Sequence, residues 1–132
     1  MPFMTWSDEF SVGVAMFDKE HQELVAIINR FHEAACTGTG GEELSRICDE
    51  LIEHTVAHLQ HEEALFEDTA YPKAALHRVM HQNLKTRALQ FRDEVGQKKS
   101  LESLRFLKEI LAHHIQGEDK KYGAYLNSKG IH

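Results

Sequence analysis

The amino-acid sequence predicts an all-α protein, an up-down-up-down four-helix bundle preceded by an irregular N-terminal arm over residues 1–17. Three observations carry that reading. The 132 residues contain only two prolines, Pro2 and Pro72, so long stretches are free of the strongest helix breaker. Four of these stretches repeat their apolar residues at intervals of three and four. The gaps between them are short, which favours antiparallel neighbours. The length fits one domain, residues 1–132, able to bury a core without disulfides.

In the arm, Trp6 and Phe10 are the expected anchors onto the bundle. Asp18 is placed to cap helix A, with Glu20 in the first turn, where negative charge suits the helix dipole. Helix A carries the stripe Leu24, Ile27, Ile28, Phe31 and Ala35, and stops after about Cys36 at Gly38-Thr39-Gly40-Gly41. Helix B runs from about Glu42 to about Asp68. Leu44, Leu51 and Leu65 share one of its heptad rows, and Cys48 and Thr55 share another. Helix C begins near Pro72, a residue favoured in a first turn, and ends near Gly96. Its rows are His77, Leu84, Phe91 and His81, Ala88, Val95. Ser100 is the expected cap of helix D, whose inner rows hold Leu104, Leu107, Leu111 and His114.

Composition narrows the function classes. A net charge of −6 argues against a nucleic-acid or anionic-membrane partner. No apolar run is long enough to span a bilayer, and MPFMTWSDEF lacks the basic start and apolar segment of a signal peptide. A cytoplasmic location is the default expectation, with Cys36 and Cys48 as half-buried free thiols. Ten histidines in so short a chain are the one oddity.

Six of the titratable residues take positions that the heptads reserve for core side chains: His21, His58, Glu62, His77, His81 and His114. Burying such groups without partners costs several kcal/mol per ion. A metal neutralises the carboxylate and uses the imidazole lone pairs. Residues four apart on a helix share a face, so His58 with Glu62, and His77 with His81, each offer two donors to one point. His114 and Asp119 are five apart, which requires a π-type turn to bring both to one side, and Gly117 lies inside that interval. His21 adds an imidazole from helix A. Five imidazoles and two carboxylates exceed what one transition-metal ion can use. Two ions bridged by the carboxylates can use them all, with the imidazoles divided three and two. Once a solvent oxygen also bridges, the two-imidazole ion keeps an open position for a small ligand. Zinc prefers four ligands, whereas manganese suits the ligand types as iron does. His32, His54, His61, His113 and His132 read as surface or supporting residues, and His54 lies one turn before His58.

These residues resemble the motifs of the hemerythrin family, in its single-domain bacterial form. Trp6, Val12-Gly13-Val14, Asp18, His21 and Leu24 look like its N-terminal signature, and His58-Leu59-Gln60-His61-Glu62-Glu63 resembles its H-F-x-x-E-E. Tyr71-Pro72 followed by His77 and His81 resembles its Y-P and H-x-x-x-H. Leu111-Ala112-His113-His114-Ile115 with Asp119 and Tyr122 resembles its L-x-x-H-I-x-x-x-D-x-x-Y. The resemblance implies two non-haem iron ions. His77, His81 and His114 would bind one and His21 and His58 the other, bridged by Glu62, Asp119 and an oxo or hydroxo group. It implies dioxygen as the ligand of the two-histidine iron, with Leu111 and Ile115 lining the pocket. Leu59 and Ile110 depart from the family's usual Phe and Trp.

Imidazoles outnumber carboxylates five to two, which suits reversible binding of dioxygen, for storage, delivery or sensing, better than enzymatic turnover. The alternative is a di-iron enzyme that reduces nitric oxide or peroxide, or an iron donor for cluster repair. A partner, if there is one, is an oxygen-consuming or signalling protein.

Overall fold

Gly13 sets the start of the bundle. Its φ of +78° belongs to the left-handed region that glycine enters without strain, and it turns the arm into the first helix. The computed structural model describes residues 3–38, 40–95 and 100–132. A short 3-10 turn, Asp8–Phe10, precedes α1, Ala15–Cys36. Helix α2 spans Gly41–Thr69 and α3 spans Ala74–Glu94. Helix α4, Ser100–His114, continues through a π-helical turn, Ile115–Asp119, into α5, Lys120–Ser128. Helix α1 packs on α2, α2 on α3, α3 on α4 and α4 back on α1, which closes a four-helix bundle with no strand among the described residues. None of these helices is long and apolar enough to cross a membrane.

Several boundaries differ from the sequence reading. The arm ends at Val14, not residue 17, and Val14 rather than Asp18 occupies the N-cap. Asp18 lies one turn inside α1 and reaches back to the loop. Its carboxylate accepts from the Val12 N–H at 2.8 Å and the Ser11 hydroxyl at 2.6 Å. Pro72 sits in the turn before α3, not in its first turn, because Lys73 is the N-cap. Helix α3 ends at Glu94; Gly96 and the side chain of Ser100 lie outside the described residues. Cys36 is exposed and Cys48 fully enclosed, so neither is half-buried.

The core forms two apolar layers with a polar layer between them. The first gathers Leu24, Ile28 and Phe31 of α1, Leu44 and Leu51 of α2, Phe91 of α3 and Leu104 of α4. The second gathers Val12, Val14 and Phe17 with Phe66, Tyr71, Ile115, Tyr122 and Leu126. Burying side chains of this size stabilises the fold by about 1.5–3 kcal/mol each. Phe66, not the expected Leu65, is the fully buried residue at that end of α2. Helix α2 stops where Ala70 adopts φ +52°, an uncommon conformation for a residue with a Cβ. The Tyr71 N–H bonds the Phe66 carbonyl at 3.1 Å, and the Tyr125 hydroxyl reaches the carbonyls of Thr69 and Ala70.

The arm is pinned along its length. Trp6 and Phe10 stack on each other and pack against the first layer, as expected of anchors. Met4, which the sequence reading did not single out, is buried deeper than either and exchanges two 2.8 Å hydrogen bonds with the Asn29 side chain. Nearer the helix, the Asn127 amide donates to the Gly13 carbonyl at 3.0 Å. Gly123 lets the arm lie directly on α5, since a Cβ there would come within 1.8 Å of the Val12 carbonyl oxygen. Gly123→Ala must therefore displace the arm. We expect it to cost about 1–3 kcal/mol, the range for overpacking a filled site, in chemical denaturation. An unchanged unfolding midpoint would mean that the arm does not seat on α5 in solution.

Candidate metal centre

The middle layer of the bundle is polar. It contains His21 from α1, His58 and Glu62 from α2, His77 and His81 from α3, His114 from the end of α4 and Asp119 from the last position of the π turn. All seven are buried, and Glu62 and His81 are wholly enclosed. Regular i,i+4 spacing aims the pairs on α2 and α3 inward. The i to i+5 turn does the same for His114 and Asp119, the geometry that their spacing required.

Each carboxylate faces imidazoles on both of its oxygens. Asp119 Oδ1 lies 3.0 Å from His77 Nε2 and 3.1 Å from His114 Nε2, while Oδ2 lies 3.4 Å from His21 Nε2. Glu62 Oε1 lies 3.5 Å from His58 Nε2, while Oε2 lies 3.2 Å from His81 Nε2 and 3.9 Å from His77 Nε2. All five imidazoles thus present Nε2 to the carboxylates. These donors form two groups, each suited to hold one metal ion. One is His77, His81, His114 and Asp119; the other is His21, His58, Glu62 and Asp119.

Left to itself, this layer is short of partners. Neither Glu62 oxygen, neither His81 nitrogen nor His114 Nε2 has a hydrogen-bonding partner in the structure. His21 Nε2 and His58 Nε2 lie 2.8 Å apart, so two nitrogen lone pairs face each other unless a proton intervenes. Buried polar atoms are rarely left so. Metal ions in the two groups would engage these atoms, and imidazole with carboxylate is a donor set that iron accepts. The donor chemistry therefore fits a pair of metal ions.

Protons are the alternative to metal. Burial pulls the His58 imidazole down, but Glu20 and Glu62 outweigh it and push its pKa up to about 10. Burial likewise opposes His114, and Asp119 overcomes it. For the carboxylates the signs reverse. Burial and the neighbouring Asp119 raise Glu62, yet His58 and His81 bring it below its usual value. Burial also raises Asp119, but His114, His21 and His77 hold it well below the ordinary range.

A cavity of about 30 Å³ adjoins the two-imidazole group. His21, His58, His114 and Asp119 form its polar side. Aliphatic side chains, Leu24, Ile28, Leu51, Leu107 and Leu111 among them, cover the rest, together with Thr55, whose hydroxyl is spent on the Leu51 carbonyl at 2.8 Å. Leu111 therefore lines the cavity. Ile115 does not; it is fully buried in the second apolar layer. Leu59, one of the two family departures, also lines the cavity. Ile110, the other, lines a separate outer groove between α3 and α4. The heptad rows contained most of the lining, but the rows alone did not show which of their members border a void. Among the remaining histidines, His61 and His54 meet Glu20 and Glu23 on the α1–α2 seam, and His32 stacks on Phe3.

Fold and donor set together define a four-helix-bundle protein with a histidine-rich site for two metal ions. The chain belongs to the hemerythrin family: the hemerythrin HHE cation binding domain matches residues 12–126. Relatives named bacteriohemerythrin align over nearly the whole chain. One from Methylococcus capsulatus is 30% identical, covering 97% of this chain and 100% of the relative. One from Stenotrophomonas maltophilia is 29% identical, covering 96% and 86%. A crystal structure of wild-type hemerythrin superposes with a TM-score of 0.85 at 28% identity, covering 94% of this chain and 98% of that one. The family binds a di-iron centre, and the two donor groups here are suited to hold it.

Proton and metal occupancy predict opposite responses to alkali. In the metal-free protein the raised His58 contributes stability that is whole below its unfolded value of 6.5 and is lost as pH climbs towards about 10. The depressed Glu62 and Asp119 contribute stability that is lost as pH falls below the ordinary carboxylate range. The metal-free protein should be most stable just below pH 6.5 and should weaken on the alkaline side. With metal bound, the proton on His58 is replaced, so the alkaline decline should flatten. Melting curves of both forms from about pH 5 to about pH 10 test this. An alkaline limb of the same slope in both would contradict it.

Proposed function

We propose that this chain binds dioxygen reversibly at a pair of iron ions. His77, His81 and His114 would hold one iron and His21 and His58 the other, with Glu62 and Asp119 as the carboxylate ligands between them. The observation that carries the reading is the cavity of about 30 Å³ lined by the metal-site donors His21, His58, His114 and Asp119 and walled otherwise by aliphatic side chains and Thr55. That volume suits a ligand the size of a water or a diatomic molecule. When bound, the iron pair supplies the electrons that make uptake of dioxygen possible. The names of the relatives support the same assignment.

The protein's own groups favour release over reaction. Leu111 and its aliphatic neighbours keep water from the ligand position. The two hydroxyl groups around the site hold their protons elsewhere. The Thr55 hydroxyl donates to the Leu51 carbonyl, and the Tyr122 hydroxyl donates to the Glu62 backbone carbonyl at 2.9 Å. Burial also pushes the Tyr122 phenol well above its ordinary pKa, so it is a poor acid at neutral pH. With His21, His58, His114 and Asp119 engaged by metal, the cavity would hold no free acid to help cleave the ligand. The site's ratio of five imidazoles to two carboxylates points the same way, since fewer anionic ligands stabilise high-valent iron less.

The test is spectroscopic. Protein loaded with ferrous iron should approach two irons per chain and develop a visible band under dioxygen that vanishes when the gas is removed. Steady consumption of dioxygen, nitric oxide or peroxide would instead mark an enzyme. Leu111→Ala keeps every coordinating atom but thins the cavity wall. It should retain two irons while the oxygen-dependent band decays several-fold sooner. An unchanged lifetime at full iron content would mean that the ligand lies elsewhere, and outright loss of iron would mean that Leu111 holds the bundle together.

A further inference from the structure

The α1–α2 seam carries a side-chain chain that leads from solvent to the metal layer. His58 Nδ1, the nitrogen turned away from the carboxylates, lies 2.8 Å from Glu20 Oε1. The other Glu20 oxygen bonds His61 Nδ1, and His61 is 52% exposed whereas His58 is 4% exposed. Two other imidazoles of the layer have no hydrogen bond at Nδ1. His21 Nδ1 has no partner, and His81 Nδ1 lies 3.5 Å from Glu63 Oε2 without forming a hydrogen bond.

From this geometry we infer that Glu20 is a positioning residue for His58, and that His61 holds Glu20 in place from the surface. The inference rests on the proposed role of His58 as an iron ligand. A carboxylate on Nδ1 fixes the proton there, leaves the Nε2 lone pair free to face inward, fixes the plane of the ring and makes it a stronger donor. His58 needs this help more than a residue in open solvent would, because the alternative tautomer directs an N–H at His21 Nε2, 2.8 Å away. The arrangement also links two helices. Glu20 and His21 are consecutive on α1, so one dipeptide supplies an imidazole to the two-imidazole group and orients the other imidazole, which comes from α2.

Wild type, Glu20→Ala, Glu20→Gln and His61→Ala, each loaded with ferrous iron, distinguish the outcomes. The readouts are iron per chain, the rate at which each iron is lost to a chelator, and the midpoint potential. Glu20→Ala should lose one of its two irons about 10–100-fold faster, the usual effect of removing such a partner, while the second iron is lost at the wild-type rate. Glu20→Gln still accepts the Nδ1 proton through its amide oxygen but lacks the negative charge. It should keep both irons and shift the midpoint potential upward, a change that a purely structural role would not produce. His61→Ala should give a smaller acceleration of the same iron, since Glu20 keeps its bond to His58. If both irons are lost equally in Glu20→Ala, or neither is affected, Glu20 does not position His58. If His61→Ala matches wild type, the surface part of the inference falls. A wild type that takes up fewer than two irons would overturn the di-iron reading itself, and this inference with it. Should Glu20→Ala fail to fold, the potential of Glu20→Gln decides alone, and a wild-type value there overturns the inference.

Discussion

Glu62 and Asp119 place two carboxylates side by side in the centre of the bundle, both almost completely enclosed. Water cannot solvate them there, and each raises the energy of the other's charge. Such a pair persists only if positive charge or strong donors meet every oxygen. The five imidazoles do this from all four sides, with Asp119 and Glu62 each divided between the two donor groups. The helices must then deliver Nε2 atoms to within a few tenths of an ångström of fixed positions. Rigid apolar layers above and below the site make that precision attainable.

The two donor groups sit in unlike surroundings. Phe66 packs its ring against both His77 and His81, and Tyr122 and Tyr71 close on His77 from the arm side. Those imidazoles have little room to tilt. His58 meets the Phe17 ring edge-on, and both His21 and His58 line the small cavity. Stiff aromatic packing thus holds His77 and His81, while both imidazoles of the other group, with His114, border the void.

Much of this was legible in the sequence because the heptads are regular. Core rows that ran Leu44, Leu51 and then His58, or His77, Leu84 and Phe91, revealed both the helices and the polar residues that interrupt them. What the rows could not carry came from effects outside them. A straight helix drifts about 20° per heptad, so by the third repeat Phe66 rather than Leu65 faces inward. Asp18 has the chemistry of a cap, but the fold spends its carboxylate on Ser11 and Val12. The seat of Met4 depends on Asn29, 25 residues away, which no local pattern encodes. Glu20 looked like a helix-dipole residue, and its contact with His58 became visible only once α1 and α2 were packed.

The π turn has a consequence for the whole last helix. Inward positions run Leu104, Leu107, then half-buried Leu111 at the cavity wall and His114, in alternating steps of three and four. They resume as Asp119, Tyr122 and Leu126. A strict heptad would have resumed at residue 118. One residue has been slipped into the winding, as an extra half-plane of atoms is slipped into a crystal at a dislocation. The defect is confined to a single turn, and the lattice on either side keeps its phase with the other three helices. Because the misfit is absorbed where His114 and Asp119 meet, the same insertion that distorts the helix leaves Tyr122 and Leu126 in step with Phe17 and Phe66.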